Sequence, residues 1–140
     1  KNIEPLKPTG DFSKAFPDIP EANPNHLPPA VPLIVLVHNP DFILDQQFTA
    51  KAGQAKKADL ILAGNTHGGQ IRLPFIGPVA RLPSKLPRTF DKGLFDLQYT
   101  EALPPELRRQ GLLFITSGLS ESGPRARLFN PPEIVILELY

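Results

Sequence analysis

Two short apolar runs, each ending at a polar residue or a glycine, dominate the hydrophobic pattern of this chain. Leu33-Ile34-Val35-Leu36-Val37 is continuous and ends at His38, and residues 59–63, which are apolar after Asp59, form a second run that ends at Gly64. Apolar runs of this length are typical of strands covered on both faces, as in parallel α/β sheets. The pattern therefore predicts two buried strands.

The segment between these runs carries the signals of a helix start. Asn39 is a candidate N-cap, Pro40 suits the first helical position, and Asp41 places a carboxylate in the first turn. The helix is expected to run to about Lys51 or Ala52. Strand, helix and strand at this spacing predict a right-handed βαβ unit with parallel strands.

The second half of the chain predicts fewer regular elements. Residues 112–117 form a third candidate strand, and residues 133–139 a last one, which we expect to be antiparallel to the third. Residues 70–73 are a candidate short strand. Residues 74–110 are rich in proline and have no clear period, so a long irregular excursion is expected there. The predicted fold class is α/β.

Proline and methionine content bear on domain organisation. Proline makes up 18 of the 140 residues, more than twice its usual share of about 5%. Seven of these prolines fall in residues 1–31, which predicts a Pro-rich lead segment on a surface, with His26 as a surface residue, ahead of one domain over residues 32–140. Because the sequence contains no methionine, we expect a fragment of a longer protein.

Charge and composition exclude several classes of function. The net charge of +1 argues against binding nucleic acid through bulk electrostatics. No apolar run approaches the roughly 20 residues of a transmembrane helix, so no transmembrane segment is predicted. Without cysteine there is neither a disulfide framework nor a thiolate metal site, and the compartment, cytoplasmic or peripheral at the cell envelope, stays open.

Polar residues that can bind metal follow the two predicted parallel strands. His38 ends the first strand, and Asn65, Thr66 and His67 follow the second. Because the carboxyl ends of parallel strands meet at one edge of a sheet, both imidazoles are expected there. Imidazole suits Zn, Fe or Mn, but a catalytic metal takes three or more protein ligands.

Nearby carboxylates do not complete such a site. Asp59 begins its strand, about 15 Å from the carboxyl end at roughly 3.3 Å per residue. Asp41 is better explained by the electrostatics of a helix N-terminus. Ser117 and Ser122 have no evident base partner, so a serine hydrolase is not favoured and no catalytic side chain is assigned.

Three spaced motifs give the chain a resemblance to a known family. Leu36-Val37-His38-Asn39-Pro40-Asp41, the run from Asp59 through Gly64-Asn65-Thr66-His67-Gly68-Gly69-Gln70 to Pro74, and Thr116-Ser117-Gly118-Leu119-Ser120-Glu121-Ser122-Gly123 with Pro131-Pro132-Glu133-Ile134 are similar to the C-terminal half of calcineurin-like metallophosphoesterases. The resemblance covers about residues 11–140. It is strongest to the bacterial branch whose last motif reads Gly-His-Thr-His-Gly-Gly-Gln.

The resemblance implies an α/β/β/α sandwich, with two sheets between helical layers, and a two-metal site. Family members hold two divalent metals, commonly Mn, Fe or Zn, bridged by an aspartate and a water or hydroxide that attacks phosphorus. By resemblance His38 would bind the second metal and His67 the first. The position of Asn65 would hold another ligand of the second metal. Phosphate monoesters, phosphodiesters or lipid-linked pyrophosphates are the substrates of this branch.

The chain departs from the family pattern in two ways. Asn65 stands where the family has His, and it can be a turn residue in left-handed geometry, a weak ligand or the mark of a degenerate site. The earlier motifs of the family, which supply the bridging aspartate, are absent from the chain. No dinuclear centre is therefore expected within this chain alone, which is expected to be inactive and can lack metal altogether.

Four arginines are candidate ligands for a phosphate group. Arg72, Arg81, Arg125 and Arg127 can bind a phosphate or be solvated loop charges, and Arg125 and Arg127 are the better candidates because they share a Gly-rich loop. Half a sandwich would expose apolar sheet surface, so the chain would dimerise, swap or pair with the missing N-terminal half. The alternative to an enzyme is a non-catalytic remnant that binds a partner or a phosphate-bearing ligand.

Overall fold

A computed structural model describes residues 32–44, 58–79, 84–123 and 125–139. The chain divides into the units Lys1–Val31 and Pro32–Tyr140, and the predicted Pro-rich lead segment lies outside the described residues. The described residues form six strands, β1 (Ile34–Leu36), β2 (Leu60–Ala63), β3 (Arg72–Leu73), β4 (Gly77–Pro78), β5 (Gly93–Asp96) and β6 (Leu112–Ile115). Three short 3-10 helices accompany them, Pro40–Leu44, His67–Gly69 and Pro105–Leu107. No helix among the described residues is long and apolar enough to span a membrane.

The main sheet has the strand order β1-β2-β6-β5. β1, β2 and β6 are parallel, with Val35 opposite Ile61 and Ile61 opposite Leu113. The three parallel strands are those that the continuous apolar runs predict, and a mixed α/β fold is therefore confirmed. Because parallel neighbours share their direction, the carboxyl ends of β1 and β2 lie at one edge of the sheet.

The helix predicted after β1 begins where the sequence places it. The backbone N–H of Asp41 donates to Asn39 Oδ1 at 2.9 Å, and Phe42 N–H donates to the Asn39 carbonyl at 3.2 Å, as expected of an N-cap. The described turn, Pro40–Leu44, is a 3-10 helix rather than an α-helix. The remainder of the predicted helix, to Ala52, lies outside the described residues.

Two predictions about the antiparallel strands were wrong. β5 (Gly93–Asp96) lies in the Pro-rich stretch predicted to be irregular, and it is β5 that pairs antiparallel with β6. Residues 133–139 contain no strand. The physical reason is that β6 has two edges, and β2 and β5 already occupy both, so no backbone groups remain for a further partner. The predicted short strand over residues 70–73 is present as β3, which forms a hairpin with β4.

The core lies on one face of the main sheet. Ile61, Leu113 and Ile115 are fully buried, together with Phe90 and Leu97 from the stretch that precedes and follows β5. The other face of β1 is open: Leu36 retains 80% of its exposure. The expectation of strands covered on both faces is thus wrong for β1 within the described unit, because no described element packs over that side chain.

Candidate metal centre

The carboxyl ends of β1 and β2 bring the two segments that carry the predicted ligands together. Past the paired strands, Val37 N–H donates to the Leu62 carbonyl at 2.9 Å, and Gly64 N–H donates to the His38 carbonyl at 3.1 Å. His38 is therefore joined directly to the glycine that opens the turn with Asn65 and His67. The side chain of His38 is exposed at this edge of the sheet.

The segment that follows β2, residues 64–70, is here called the site turn, and its backbone is unusual. Five of its residues have positive φ, among them three that are not glycine: Asn65 at 66°, His67 at 50° and Gln70 at 42°. Left-handed backbone is costly for non-glycine residues and persists where surrounding contacts enforce it, commonly at functional sites. The left-handed geometry considered for Asn65 is the one that it adopts.

Close packing explains one of the glycines in the site turn. Gly68 has φ of 59°, and a Cβ added there would lie 2.8 Å from both Asn130 Oδ1 and Ser117 Cβ. Ser117 and Asn130 each retain about 1% of their exposure, so neither neighbour can easily move away. Only glycine allows the site turn to approach these two side chains.

Hydrogen bonds and an ion pair among Thr66, Arg72 and Asp91 support the site turn. The buried Thr66 hydroxyl donates to the Asp91 carbonyl at 2.5 Å and accepts from Gly68 N–H at 3.3 Å. Arg72 donates to the Gly68 carbonyl at 3.1 Å and forms an ion pair with the buried Asp91 carboxylate. Sequence reasoning did not single out Asp91, which lies in the Pro-rich stretch without a local motif. Arg72, a candidate phosphate ligand in the sequence, thus supports the site turn through Gly68 and Asp91.

The imidazole of His67 has a defined partner. Its Nδ1 lies 2.9 Å from the Ser120 carbonyl oxygen. Since a carbonyl can only accept, Nδ1 must donate in this contact, and in the neutral ring the lone pair then lies on Nε2, as in a metal-binding histidine. The backbone carbonyl of His67 accepts from Asn130 Nδ2 at 2.7 Å. The ring and the backbone of His67 are thus both held by the segment after β6.

Arg127 organises this segment. Its terminal nitrogens donate to the four backbone carbonyls of Ser117 at 2.8 Å, Gly118 at 3.1 Å, Ser120 at 2.5 Å and Asn130 at 3.3 Å. Arg125, two residues earlier, is exposed. The two arginines of the Gly-rich loop therefore differ, since one is engaged by the protein and the other faces solvent. Phosphate binding by either one stays a prediction.

Comparison with known proteins decides the family. The chain is 38% identical to an uncharacterized metallophosphoesterase of Campylobacter jejuni over 76% of its length, and 31% identical to the UDP-2,3-diacylglucosamine pyrophosphatase LpxG of Chlamydia muridarum over 91%. It is 29% identical to the uncharacterized metallophosphoesterase YkuE of Bacillus subtilis over 76%. The chain belongs to the calcineurin-like metallophosphoesterases.

This metallophosphoesterase chain corresponds to a limited part of its relatives. It aligns with 22% of the Campylobacter protein, 35% of LpxG and 30% of YkuE. No protein-family model matches the chain, and no solved structure does. The chain therefore spans about a fifth to a third of the curated relatives it matches.

The donors at the sheet edge suit a divalent metal but do not complete a site. Two imidazoles and the Asn65 amide are ligands that Mn, Fe or Zn accept, and Nε2 of His67 is available. In the part of the chain that the structure describes, no group of three or more His, Cys, Asp and Glu side chains could hold a metal ion. To hold a catalytic metal, these donors would need further ligands from outside the described residues.

Neighbouring carboxylates are engaged elsewhere. Asp59 Oδ2 accepts from Leu33 N–H at 2.8 Å, at the opposite end of the strands from His38. Asp41 accepts from the Ser84 hydroxyl at 2.5 Å and from Lys85 N–H at 2.9 Å. Asp41 therefore ties residues 84–85 to the helix start, a contact that its position in the sequence did not indicate.

Proposed function

We propose that the protein to which these residues belong is a metal-dependent phosphoesterase that hydrolyses phosphate mono- or diesters. This chain would supply His38, His67 and Asn65 to its metal site. The observation that carries the proposal is the hydrogen bond that joins Gly64 to His38, because it places both histidine-bearing segments at one sheet edge. The family membership supports the same reaction class.

The chemistry that we propose needs two divalent metals, Mn, Fe or Zn, which would supply an activated water and neutralise charge on the phosphoryl group. In this chain His67 would present Nε2 to the first metal and His38 an imidazole nitrogen to the second. Asn65 would offer a weaker amide oxygen. The carboxylate ligands would come from the missing N-terminal half of the domain, so the chain alone is expected to be inactive.

The substrate is proposed only as a phosphate ester. One relative is named as a pyrophosphatase of UDP-2,3-diacylglucosamine, which makes lipid-linked pyrophosphates one candidate class beside simple mono- and diesters. Arg125 is our candidate for a weak contact to substrate phosphate, because its guanidinium is exposed in the loop beside the site. Arg127 would have to release backbone carbonyls to do the same.

We extend the proposal to the architecture. The main sheet would form one layer of the family's α/β/β/α sandwich, and the open side of β1 at Leu36 would be covered by the N-terminal half or by a second copy of the chain. A homo-oligomer or a swapped dimer is thus expected when this chain is produced alone. Sedimentation of the chain with and without the N-terminal half would distinguish these arrangements.

Metal content and hydrolysis test the proposal. The full-length protein should contain about two equivalents of Mn, Fe or Zn and should hydrolyse a generic aryl phosphate, whereas His67→Ala should lose metal and activity together. A full-length protein that holds no metal and hydrolyses no phosphate ester would support the second candidate, a non-catalytic binding module. Asn65 in place of the family's histidine is the observation that favours that candidate.

A further inference from the structure

The orientation of His67 depends on one carbonyl, and that carbonyl is also held by Arg127. We infer that Arg127 is a positioning residue that keeps the proton of His67 on Nδ1 and so presents Nε2 to a metal. The metal part of this inference rests on the proposed function, whereas the tautomer does not. Arg127 acts on His67 through Ser120 and Asn130.

Ser120 is the first link between the two side chains. Its carbonyl oxygen lies 2.9 Å from His67 Nδ1 and accepts from an Arg127 terminal nitrogen at 2.5 Å. Ser120 is exposed and belongs to a segment without helix or strand, so regular secondary structure does not fix its carbonyl. A charged donor at hydrogen-bond distance is what holds this oxygen towards the imidazole.

The same guanidinium fixes the start of the loop. The terminal nitrogen that contacts Ser120 also donates to the carbonyls of Ser117, which is buried, and Gly118. Because Ser117 lies two residues after the end of β6, Arg127 joins the segment that leaves this core strand to the exposed turn at Ser120. The planar, rigid fork of arginine suits this kind of bridge better than the single ammonium group of lysine.

Asn130 provides a second, independent link. Its side-chain Nδ2 donates to the His67 carbonyl at 2.7 Å, while its own carbonyl accepts from Arg127 at 3.3 Å. His67 has a φ of 50°, a conformation that surrounding contacts must enforce. Arg127 therefore touches both supports of His67, the acceptor of the ring and the residue that holds the backbone.

These contacts favour a positioning role over direct phosphate binding. An arginine that clamps a phosphate presents two donors to solvent, but the terminal nitrogens of Arg127 face four backbone carbonyls and its Nε is buried. Arg125 carries the same charge in the same loop and is exposed. The pair Arg127 and Arg125 thus offers a test in which charge and location are matched and only the contacts differ.

The decisive measurement is the tautomer of His67, read by long-range 1H–15N NMR of the full-length, metal-free protein labelled at histidine. At about pH 8.5, where an imidazole is neutral, the wild-type ring should carry its proton on Nδ1. Arg127→Gln should shift the population towards the Nε2–H form, and Arg127→Lys should give an intermediate population. Arg125→Gln should leave the tautomer as in the wild type.

Several outcomes would overturn the inference. A wild-type ring protonated on Nε2 would do so, as would an unchanged Nδ1–H tautomer in Arg127→Gln. Should Arg127→Gln fail to fold, Arg127→Lys decides alone, since it keeps the charge and the aliphatic stem, and an unshifted tautomer there contradicts the inference.

Metal affinity provides the second readout. With the wild-type protein as reference, Arg127→Gln should weaken binding of Mn or Zn by about 10–100-fold, the usual effect of losing the partner of a ligating histidine. Wild-type protein that binds no metal would contradict the proposed function while leaving the tautomer result intact, so the two failures are distinguishable.

Discussion

The site turn and the C-terminal segment (residues 131–139) both lack strands, yet the rest of the molecule holds them very differently. The site turn receives hydrogen bonds from Arg72 and Asn130, and its Thr66 hydroxyl donates to Asp91. The C-terminal segment is held at its start, where the Glu133 carboxylate accepts from Ser117 N–H just beyond β6, and it then exposes a row of apolar side chains. Irregular backbone therefore has a defined set of contacts where polar partners surround it.

The largest effect is expected where the site turn packs most closely. Gly68→Ala should lower the free energy of unfolding by about 2–4 kcal/mol, because the new Cβ would overlap Asn130 Oδ1 and Ser117 Cβ in a left-handed backbone. Chemical denaturation of the full-length protein measures the loss.

Gly118 is the matched control for this prediction. It has the same φ of 59°, but a Cβ added there would meet nothing within 4 Å. Gly118→Ala should therefore cost only the conformational part, about 1 kcal/mol. Equal losses in the two variants would show that close packing does not specify the site turn.

Thr66 tests the polar support of the same turn. Thr66→Val keeps the shape but removes both a donor to the Asp91 carbonyl and an acceptor for Gly68 N–H, so unfolding free energy should fall by about 1–3 kcal/mol. Thr89→Val, at an exposed position, should stay within about 0.5 kcal/mol. Thermal unfolding of both variants gives the comparison, and a Thr66 variant as stable as Thr89→Val contradicts it.

The sequence predicts the elements that depend on local pattern, and it misses those that depend on long-range contacts. The strands β1, β2 and β6 have continuous apolar runs, and the histidines follow from where those runs end. β5 contains only Gly93-Leu94-Phe95-Asp96 within a Pro-rich stretch, so its pairing depends on the edge that β6 offers. The contact between Arg72 and Asp91 joins residues 19 positions apart without any shared motif.

The C-terminal segment is the opposite of β5, because it has an apolar pattern typical of a strand but forms none. Its residues have the composition of a strand, and strand propensity describes how well a side chain fits a partly buried, pleated surface. Residues 133–139 find no free edge on β6, so the composition alone does not produce a strand. Sequence reasoning cannot count the edges of a sheet before all its strands are known.

Glu133 anchors the C-terminal segment, and its ionisation should make the stability of that anchor depend on pH. The pKa of the Glu133 carboxyl is lowered below the usual 4.5, and the largest cause is the hydrogen bond from Ser117 N–H. A lowered folded-state pKa means that this carboxylate stabilises the fold above about pH 4.5, and that the contribution is lost as the pH falls through the folded-state value. Glu133→Gln should therefore melt at a lower temperature than wild type at pH 7.

The difference between Glu133→Gln and wild type should shrink as the pH falls through the folded-state pKa, because below that value the carboxyl is protonated in both states. Glu121→Gln, at an exposed carboxylate in the neighbouring loop, should match wild type at pH 7. Melting curves across this range provide the test. A difference that stays constant down to low pH would assign the effect to something other than ionisation of Glu133.

The smallest effect is expected beyond the anchor, at Ile136, which retains 86% of its exposure. Ile136→Ser in the 140-residue chain should change the free energy of unfolding by less than about 0.5 kcal/mol, because the side chain has almost no burial to lose. In the full-length protein the same substitution should cost about 1–3 kcal/mol if the proposed sandwich covers this segment, since that is the range for burying one large apolar side chain. Equal, negligible losses in both proteins would show that nothing covers the C-terminal segment in the full-length protein.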